Sequence, residues 1–490
     1  MKKVIILFPL IASAHGTLLA QDIEGFRQER ERMIADYNGF RNDIISNYAH
    51  FLGEAWEKYK AFKGEKRFPD KKPSTPQKAP DGKEGQHSVP KDITPQVTIP
   101  MPPEPDRSPI GKDVPTAIDP LAEKIAFPFY GIRMKATKIK VRPLASVREK
   151  DISECWAYMQ DDRVYDKVAP SLKLLIRGAE LSDWFVFVLV RHYADAICPN
   201  DPNTAITLSH YILANMGFDI RLGRTGNDLT LLVPFEQMLY SRSYLEIGGR
   251  KYFVFFNDTA TTGEEIGGIS TCAIPRGTKL GKTINLTLTA PYIETGKSSP
   301  FELTANGITV SGTIDEMAKN ISKEFPQTDI PVYAASCLDR KFREQLIEQM
   351  KEQVGGMSQK DAANAILRFI QLAFKYKTDG EQFGYEKAFF VEENFIYPAN
   401  DCEDRAILFA FLVRNILHLD VHLLYYPGHE ATAVAFTDAG INGDGYMYEG
   451  KRFTICDPTY IMASVGQCMP QYKAESNGFF LFCSSFCSSF

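Results

Sequence analysis

Cysteine is scarce in this chain: nine in 490 residues, far too few for a fold built on disulfides. There is no basic surplus either. Lys and Arg number 56 against 61 Asp and Glu, for a net charge of −5, so nothing advertises nucleic-acid binding. Glycine (34) and proline (29) stand near their average share, which excludes a collagen-like or wholly disordered chain. Beyond residue 20 no segment supplies the roughly 18 uncharged apolar residues that a membrane span needs. What is present is 44% hydrophobic and long enough for several domains with sizeable cores.

The first twenty residues differ from the rest. Lys2 and Lys3 precede an apolar run from Val4 to Ala12, followed by small residues. This is the layout of a secretory signal peptide over residues 1–20, cut after Ala14 or Ala20. The expectation is an exported protein, periplasmic or secreted, with no transmembrane segment after signal removal. Such compartments permit disulfides, and an odd number of Cys leaves at least one thiol unpaired or bridging chains.

Residues 22–64 carry apolar residues at Phe26, Met33, Tyr37, Phe40, Ile44, Tyr48, Phe51, Ala55, Tyr59 and Phe62. Steps of 3, 4 and 7 place them on one face of a long helix. An aromatic stripe needs a cover: another domain, a second copy as a coiled coil, or a cell-envelope partner. Residues 65–118 follow, with twelve prolines between Pro69 and Pro115. Proline removes amide donors and favours extended conformers, so this stretch reads as a semi-rigid linker.

From residue 119 the pattern is globular and of α+β type. Ile132 to Arg142 alternates like a strand, and Asp151 to His210 is mostly helical. Phe218–Val233 and Tyr244–Phe256 read as strands, the second turning at Gly248-Gly249. Thr283–Thr313 looks β-rich, with Ile284, Leu286 and Leu288 alternating, and Ile314–Phe374 is again helical. Cys402–Leu417 reads as a strong helix, followed by strands near Val421, Ala431 and Met447–Cys456.

The two globular halves echo each other. At a shift of 201, Phe218-Asp219-Ile220-Arg221-Leu222 overlays Leu419-Asp420-Val421-His422-Leu423, and Gly249-Arg250-Lys251-Tyr252 overlays Gly450-Lys451-Arg452-Phe453. A domain-sized period points to a duplicated fold rather than a solenoid.

Chemistry concentrates between Tyr397 and Tyr460. Asn400-Asp401-Cys402-Glu403-Asp404-Arg405-Ala406 opens a helix, Pro427-Gly428-His429-Glu430-Ala431 starts a strand, and Thr454-Ile455-Cys456-Asp457-Pro458-Thr459 ends one. A thiolate is favoured by a helix N-terminus and an imidazolium neighbour. Thiol catalysis also needs a His within reach and a carboxylate to orient it. A structural reading stands beside this one: a small core Cys, a loop His and an Asp-Pro turn.

These residues resemble the transglutaminase-like superfamily of papain-type thiol enzymes, over roughly residues 360–465. That family opens a helix with Cys and a small residue four later, then has a His-bearing strand, then a strand ending in Asp-Pro. Cys402 with Ala406, His429, and Asp457-Pro458-Thr459 match it in order. The resemblance implies that Cys402 is the nucleophile, His429 the general base and acid, and Asp457 its orienting partner. The family's His is often followed by an aromatic; here Glu430 follows. No cofactor and no metal is implied. At the 201-residue shift Asp201, Asp228 and Phe256 stand opposite the three residues, so the first copy is expected to be a degenerate, non-catalytic relative.

The resulting organisation is a signal peptide (1–20), an amphipathic helix (22–64), a Pro-rich linker (65–118), a degenerate transglutaminase-like domain (119–258), a β-rich connector (259–335), a catalytic domain (336–470) and a Cys/Ser/Phe tail (471–490). The expected activity is that of an exported bacterial thiol enzyme acting on amide or peptide bonds of a peptide or protein substrate. Hydrolysis is favoured over cross-linking, and a non-catalytic envelope scaffold is the alternative.

Overall fold

The computed structural model describes residues 76–80, 88–91, 122–256, 269–272 and 281–473, the backbone of 94–98, and Arg32. The expected signal peptide, all of the expected helix at 22–64 except Arg32, and the tail beyond 473 lie outside the described residues. No helix among the described residues is long and apolar enough to cross a membrane. The seven described cysteines are free thiols.

The fold is mixed α+β. After strand β1 (Thr94–Thr98), a hairpin of β2 (Lys124–Phe129) and β3 (Ile132–Thr137) precedes four helices: α1 (Glu149–Asp161), α2 (Val164–Gly178), α3 (Asp183–Ile197) and α4 (Pro202–Asn215). Strands β4 (Arg221–Thr225), β5 (Asp228–Val233), β6 (Tyr244–Ile247), β7 (Arg250–Phe255) and β8 (Ser270–Thr271) then form an antiparallel sheet in the order β6-β7-β5-β4-β8. A long hairpin, β9 (Ser298–Ala305) and β10 (Ile308–Asp315), leads into α5 (Glu316–Glu324), α6 (Ile330–Ala335), α7 (Arg340–Val354) and α8 (Gln359–Ala373). The two-residue strands β11 (Lys375–Tyr376) and β12 (Ala399–Asn400), with the short helix α9 (Asp379–Gln382) between them, precede α10 (Cys402–Leu417). Strands β13 (Asp420–Tyr426), β14 (His429–Ala435), β15 (Gly445–Tyr448) and β16 (Lys451–Cys456) complete the chain, and β1 (Thr94–Thr98) joins them. Their order is β1-β13-β14-β16-β15.

Read from its other edge, the second sheet repeats the first. Each consists of a helix, a hairpin, and a second hairpin whose return strand pairs with the first hairpin. β5 and β14, β6 and β15, and β7 and β16 begin 201 residues apart. Separate segments supply the fifth strand: β8 beside β4, and β1 beside β13.

α10 is apolar all round because it is buried all round. Ile407, Leu408, Phe409, Ala410, Leu412 and Val413 are each fully enclosed. It packs on β13, β14 and α8, and His418 ends it in a left-handed conformation at φ 55°. One apolar cluster runs from Phe127 to Val465 through the segments expected as first domain, connector and second domain. A second cluster covers the other face of the second sheet, with Leu424, Tyr426, Ala431, Phe453, Ile455 and Tyr472. β14 is therefore buried over its whole length.

Two expectations change. The Pro-rich stretch is not only a spacer. Ala79 N–H donates to the Ile461 carbonyl at 2.8 Å, Gly445 N–H to the Ser88 carbonyl at 3.0 Å and Lys91 N–H to the Tyr472 carbonyl at 2.6 Å, and β1 occupies a sheet edge. Proline's missing donors matter little along an edge. The alternation at Ile284, Leu286 and Leu288 marks burial but no ladder. Leu286 N–H donates to Gln237 Oε1 and Leu288 N–H to Ser336 Oγ, both at 2.9 Å. Ile284 makes only an isolated parallel bridge to Phe235, its N–H donating to the Pro234 carbonyl and its carbonyl accepting from Glu236 N–H, both at 3.0 Å; the amides of Leu286 and Leu288 bond to side chains instead.

A buried ion pair joins α7 to the turn before α10. Arg343 Nε and Nη2 donate to the two oxygens of Glu392 at 2.7 and 3.2 Å, and Glu392 also accepts from Leu338 N–H at 3.0 Å. Arg343→Met would strand the carboxylate and is expected to cost about 3–5 kcal/mol, read as a lower urea midpoint. The double change Arg343→Met/Glu392→Met should recover most of that loss. A single variant as stable as the parent would show that the pair is dispensable.

Candidate functional site

The site forms where α10 starts, β14 starts and β16 ends. Asp401 is the N-cap residue of α10 and Cys402 its first residue. The Asp404 carboxylate reaches back to Asp401 N–H at 3.2 Å and also accepts from Phe389 N–H at 2.8 Å. Arg405 Nε donates to Asn400 Oδ1 and Nη2 to the Phe374 carbonyl, both at 2.8 Å.

His429 and Asp457 meet directly. Nε2 of His429 lies 2.8 Å from Asp457 Oδ2, and both side chains are buried. The other carboxylate oxygen of Asp457 accepts from the amides of Thr459 and Tyr460 at 2.9 and 3.0 Å. Asp457 is thus locked by its own Asp-Pro turn. The His429 ring stacks on Tyr472 at 5.3 Å and on Tyr426 at 6.1 Å. Its Nδ1 is buried without a hydrogen-bond partner. With Nε2 committed to Asp457, Nδ1 is the nitrogen left for proton transfer.

Cys402 is also buried, but no hydrogen bond joins it to His429. Sγ lies 3.3 Å from Glu403 Oε2 and interacts with the backbone N–H of Glu430, one peptide from His429. Burial pushes the thiol well above its ordinary pKa. The carboxylates of Glu403, Asp401 and Glu430 push it further, and the Glu430 N–H acts weakly the other way. A helix N-terminus contributes at most about 2 kcal/mol towards a thiolate, whereas full burial shifts a pKa by as much as about 3–5 units. Desolvation wins, and the thiol rests protonated.

Carboxylates crowd this helix start. Ligand oxygens of Asp379, Asp401 and Asp404 lie within 4.8 Å of one another, as do those of Asp379, Glu386 and Glu403. A third group of the same spacing is Asp401, Cys402 and Glu403, so the described residues offer three overlapping sets that could hold a cation; Arg405 supplies the chain's own positive charge beside Asp401 and Asp404. Burial, then the neighbouring carboxylates, raises Asp379, Asp401 and Asp404 well above the usual carboxylate range.

The motif residues thus share one neighbourhood, while several contributors carry no sequence signature. Gln371 of α8 is one: its Nε2 donates to the carbonyls of Asp457, Tyr460 and Ala463 at 3.2, 2.8 and 3.1 Å. A lone amide on the apolar face of α8 was the one clue. Glu430 was visible as an unexpected neighbour of His429, but its burial beside the thiol was not. Cys456 is fully buried within the core, as its position on the opposite strand face implies.

In the first sheet the corresponding places differ. α4 begins with Asp201 as N-cap and Pro202 as first residue, as α10 begins with Asp401 and Cys402, so the helix starts lie 200 residues apart and proline, not the Asp201 expected from the 201-residue shift, stands where α10 has Cys402. Asp228 opens β5 and is exposed, and Phe256 follows β7.

No protein-family model, no curated protein and no solved structure matches this chain.

The raised carboxylates make a pH prediction. An unfolded Asp titrates near pH 4, while folded Asp379 is pushed up to about 10. For a pKa raised on folding, the stability is complete below the unfolded value and is lost as pH rises through the folded one. His210 and His422, lowered by burial to about 4, act with the opposite sign, but only below an unfolded His pKa of about 6.5. Thermal melts between about pH 6.5 and 8 therefore isolate the carboxylates. The melting temperature should fall across that window, and Asp379→Asn should flatten the fall. A flat parent curve would contradict the assignment.

Proposed function

We propose that this chain is an exported thiol enzyme that hydrolyses amide or peptide bonds, with a transglutaminase-like arrangement of Cys402, His429 and Asp457. The observation that carries the reading is the buried His429, with Nε2 held by Asp457 and Nδ1 unoccupied, beside a helix that starts with Cys402. In the reaction the Cys402 proton passes to His429 Nδ1, and Sγ attacks the substrate carbonyl. The C–N bond of the tetrahedral intermediate then breaks as the imidazolium protonates the leaving amine, leaving a thioester. Water, deprotonated by His429, releases the acid and regenerates the thiol. The Cys402 backbone N–H, at the first position of α10, has no intrahelical carbonyl to bond and is the candidate oxyanion donor. Asp457 acts by holding the ring.

The repeated topology of the two sheets supports reading residues 119–258 as a degenerate copy of the catalytic half. The order Cys, His, Asp and the helix-first topology are the support for the family resemblance. The signal-like residues 1–20 are the support for export.

One observation favours a second reading. The carboxylates around Cys402 keep its thiol protonated, which suits a non-catalytic envelope scaffold as well as a resting enzyme. Iodoacetamide labelling of Cys402, read by peptide mass, separates the two. In the enzyme, labelling at pH 7 should be slow, should accelerate in Glu403→Gln, and should lose that acceleration when His429→Ala is added. Hydrolysis of a peptide library should disappear in Cys402→Ala and fall at least about a hundredfold in His429→Ala. Undiminished hydrolysis in Cys402→Ala would overturn the assignment. No hydrolysis, with labelling indifferent to His429, would favour the scaffold.

A further inference from the structure

A cavity of about 790 Å³ opens between the first half of the chain and the loop that precedes α10. Arg191 of α3, Arg242 from the β5–β6 connection, and Phe325, Tyr333 and Phe390 are among its walls. Its size falls within the range of small-ligand pockets, which are mostly apolar with a few fixed polar groups.

Arg242 is its unusual member. Its Nη1 donates to the Val254 carbonyl at 3.2 Å, and its guanidinium lies 4.1 Å over the Phe255 ring. Among the described residues it has no carboxylate partner. Burial, and then the repulsion of another cation, Arg191, lowers its pKa to about 10. Arg191, by contrast, has Asp195 and Glu324 near it; both carboxylates line the cavity, as do Lys323 and Lys387. A largely buried charge without a counter-ion is costly. A guanidinium held over a ring keeps its planar fork of donors ready for a carboxylate.

The loop that lines the cavity also bonds to the helix that carries Cys402. Ala388 and Phe390 line the cavity, while between and beside them Phe389 N–H donates to Asp404 at 2.8 Å and Lys387 N–H to Asp379 at 2.6 Å. One loop therefore has the cavity on one side and the carboxylates at the start of α10 on the other.

We propose that this cavity binds the free carboxylate end of a peptide, with Arg242 as the carboxylate receptor and the ring walls taking the terminal side chain. The choice of a peptide rests on the hydrolase reading above; the carboxylate rests on Arg242 alone.

The test is calorimetric titration of the full chain after signal removal, carrying Cys402→Ala so that binding is read without turnover. The probes are N-acetylphenylalanine, its C-terminal amide and inorganic phosphate. The acid should bind, and the amide should bind at least about tenfold more weakly, the scale of one charge-assisted hydrogen bond. Arg242→Gln should remove the acid's advantage, and Arg242→Lys should keep part of it. The acid–amide comparison needs no change at Arg242, so a variant that fails to fold leaves the test intact. Equal binding of acid and amide, no binding of the acid, or tighter binding of phosphate would each overturn the proposal. Because catalysis is not read here, loss of hydrolytic activity elsewhere would leave this result unchanged, and the reverse also holds.

Discussion

The constraint on which the rest depends is the burial of a polar helix start. α10 is enclosed from Cys402 to Val413, so Asp401, Cys402, Glu403, Asp404 and Arg405 are all removed from water. Polar groups there must be met by the protein or left at a cost. Backbone amides of the 387–389 loop, the bonds of Arg405 to Asn400 and the Phe374 carbonyl, and carboxyl pKa values raised by burial meet most of that need, while Asp401 Oδ1 and Arg405 Nη1 have no hydrogen-bond partner among the described residues. The loop before α10, the short β11–β12 pairing and the position of α9 all follow from that need.

The same burial gives the site its character. A thiol at a helix N-terminus would ordinarily be poised to ionise. Here desolvation and three carboxylates outweigh the helix dipole, so Cys402 rests as a neutral thiol. His429 and Asp457 are, in contrast, already assembled. Asp457 is locked by two backbone amides, Gln371 braces the loop that carries it, and Tyr472 closes over the imidazole. Tyr472 in turn offers its carbonyl to Lys91, so the segment preceding the globular region helps to seal the histidine.

The two sheets share one topology but use it differently. In the second, the helix start, one strand start and one strand end bring a thiol, an imidazole and a carboxylate together. In the first, the same places carry Pro202, Asp228 and Phe256, and polar chemistry appears elsewhere, at Arg191 and Arg242 beside the cavity. A single apolar cluster spans both halves, so neither is packed as an independent body.

The amino-acid sequence by itself determined the element types, the 201-residue correspondence and the Cys402, His429 and Asp457 positions. Each is a local property: helical periodicity, a Gly248-Gly249 turn, an Asp-Pro strand end. Side-chain alternation at Ile284, Leu286 and Leu288 was equally legible as burial, but not as one isolated bridge followed by side-chain partners, because periodicity reports which face is covered and not by what. Only the tertiary structure decided that part of the Pro-rich stretch docks on the second half, that Glu403 and Glu430 close on the thiol, and that Arg242 is left without a counter-charge among the described residues. Those outcomes depend on desolvation and on contacts between residues far apart in the chain, and neither is encoded in local spacing.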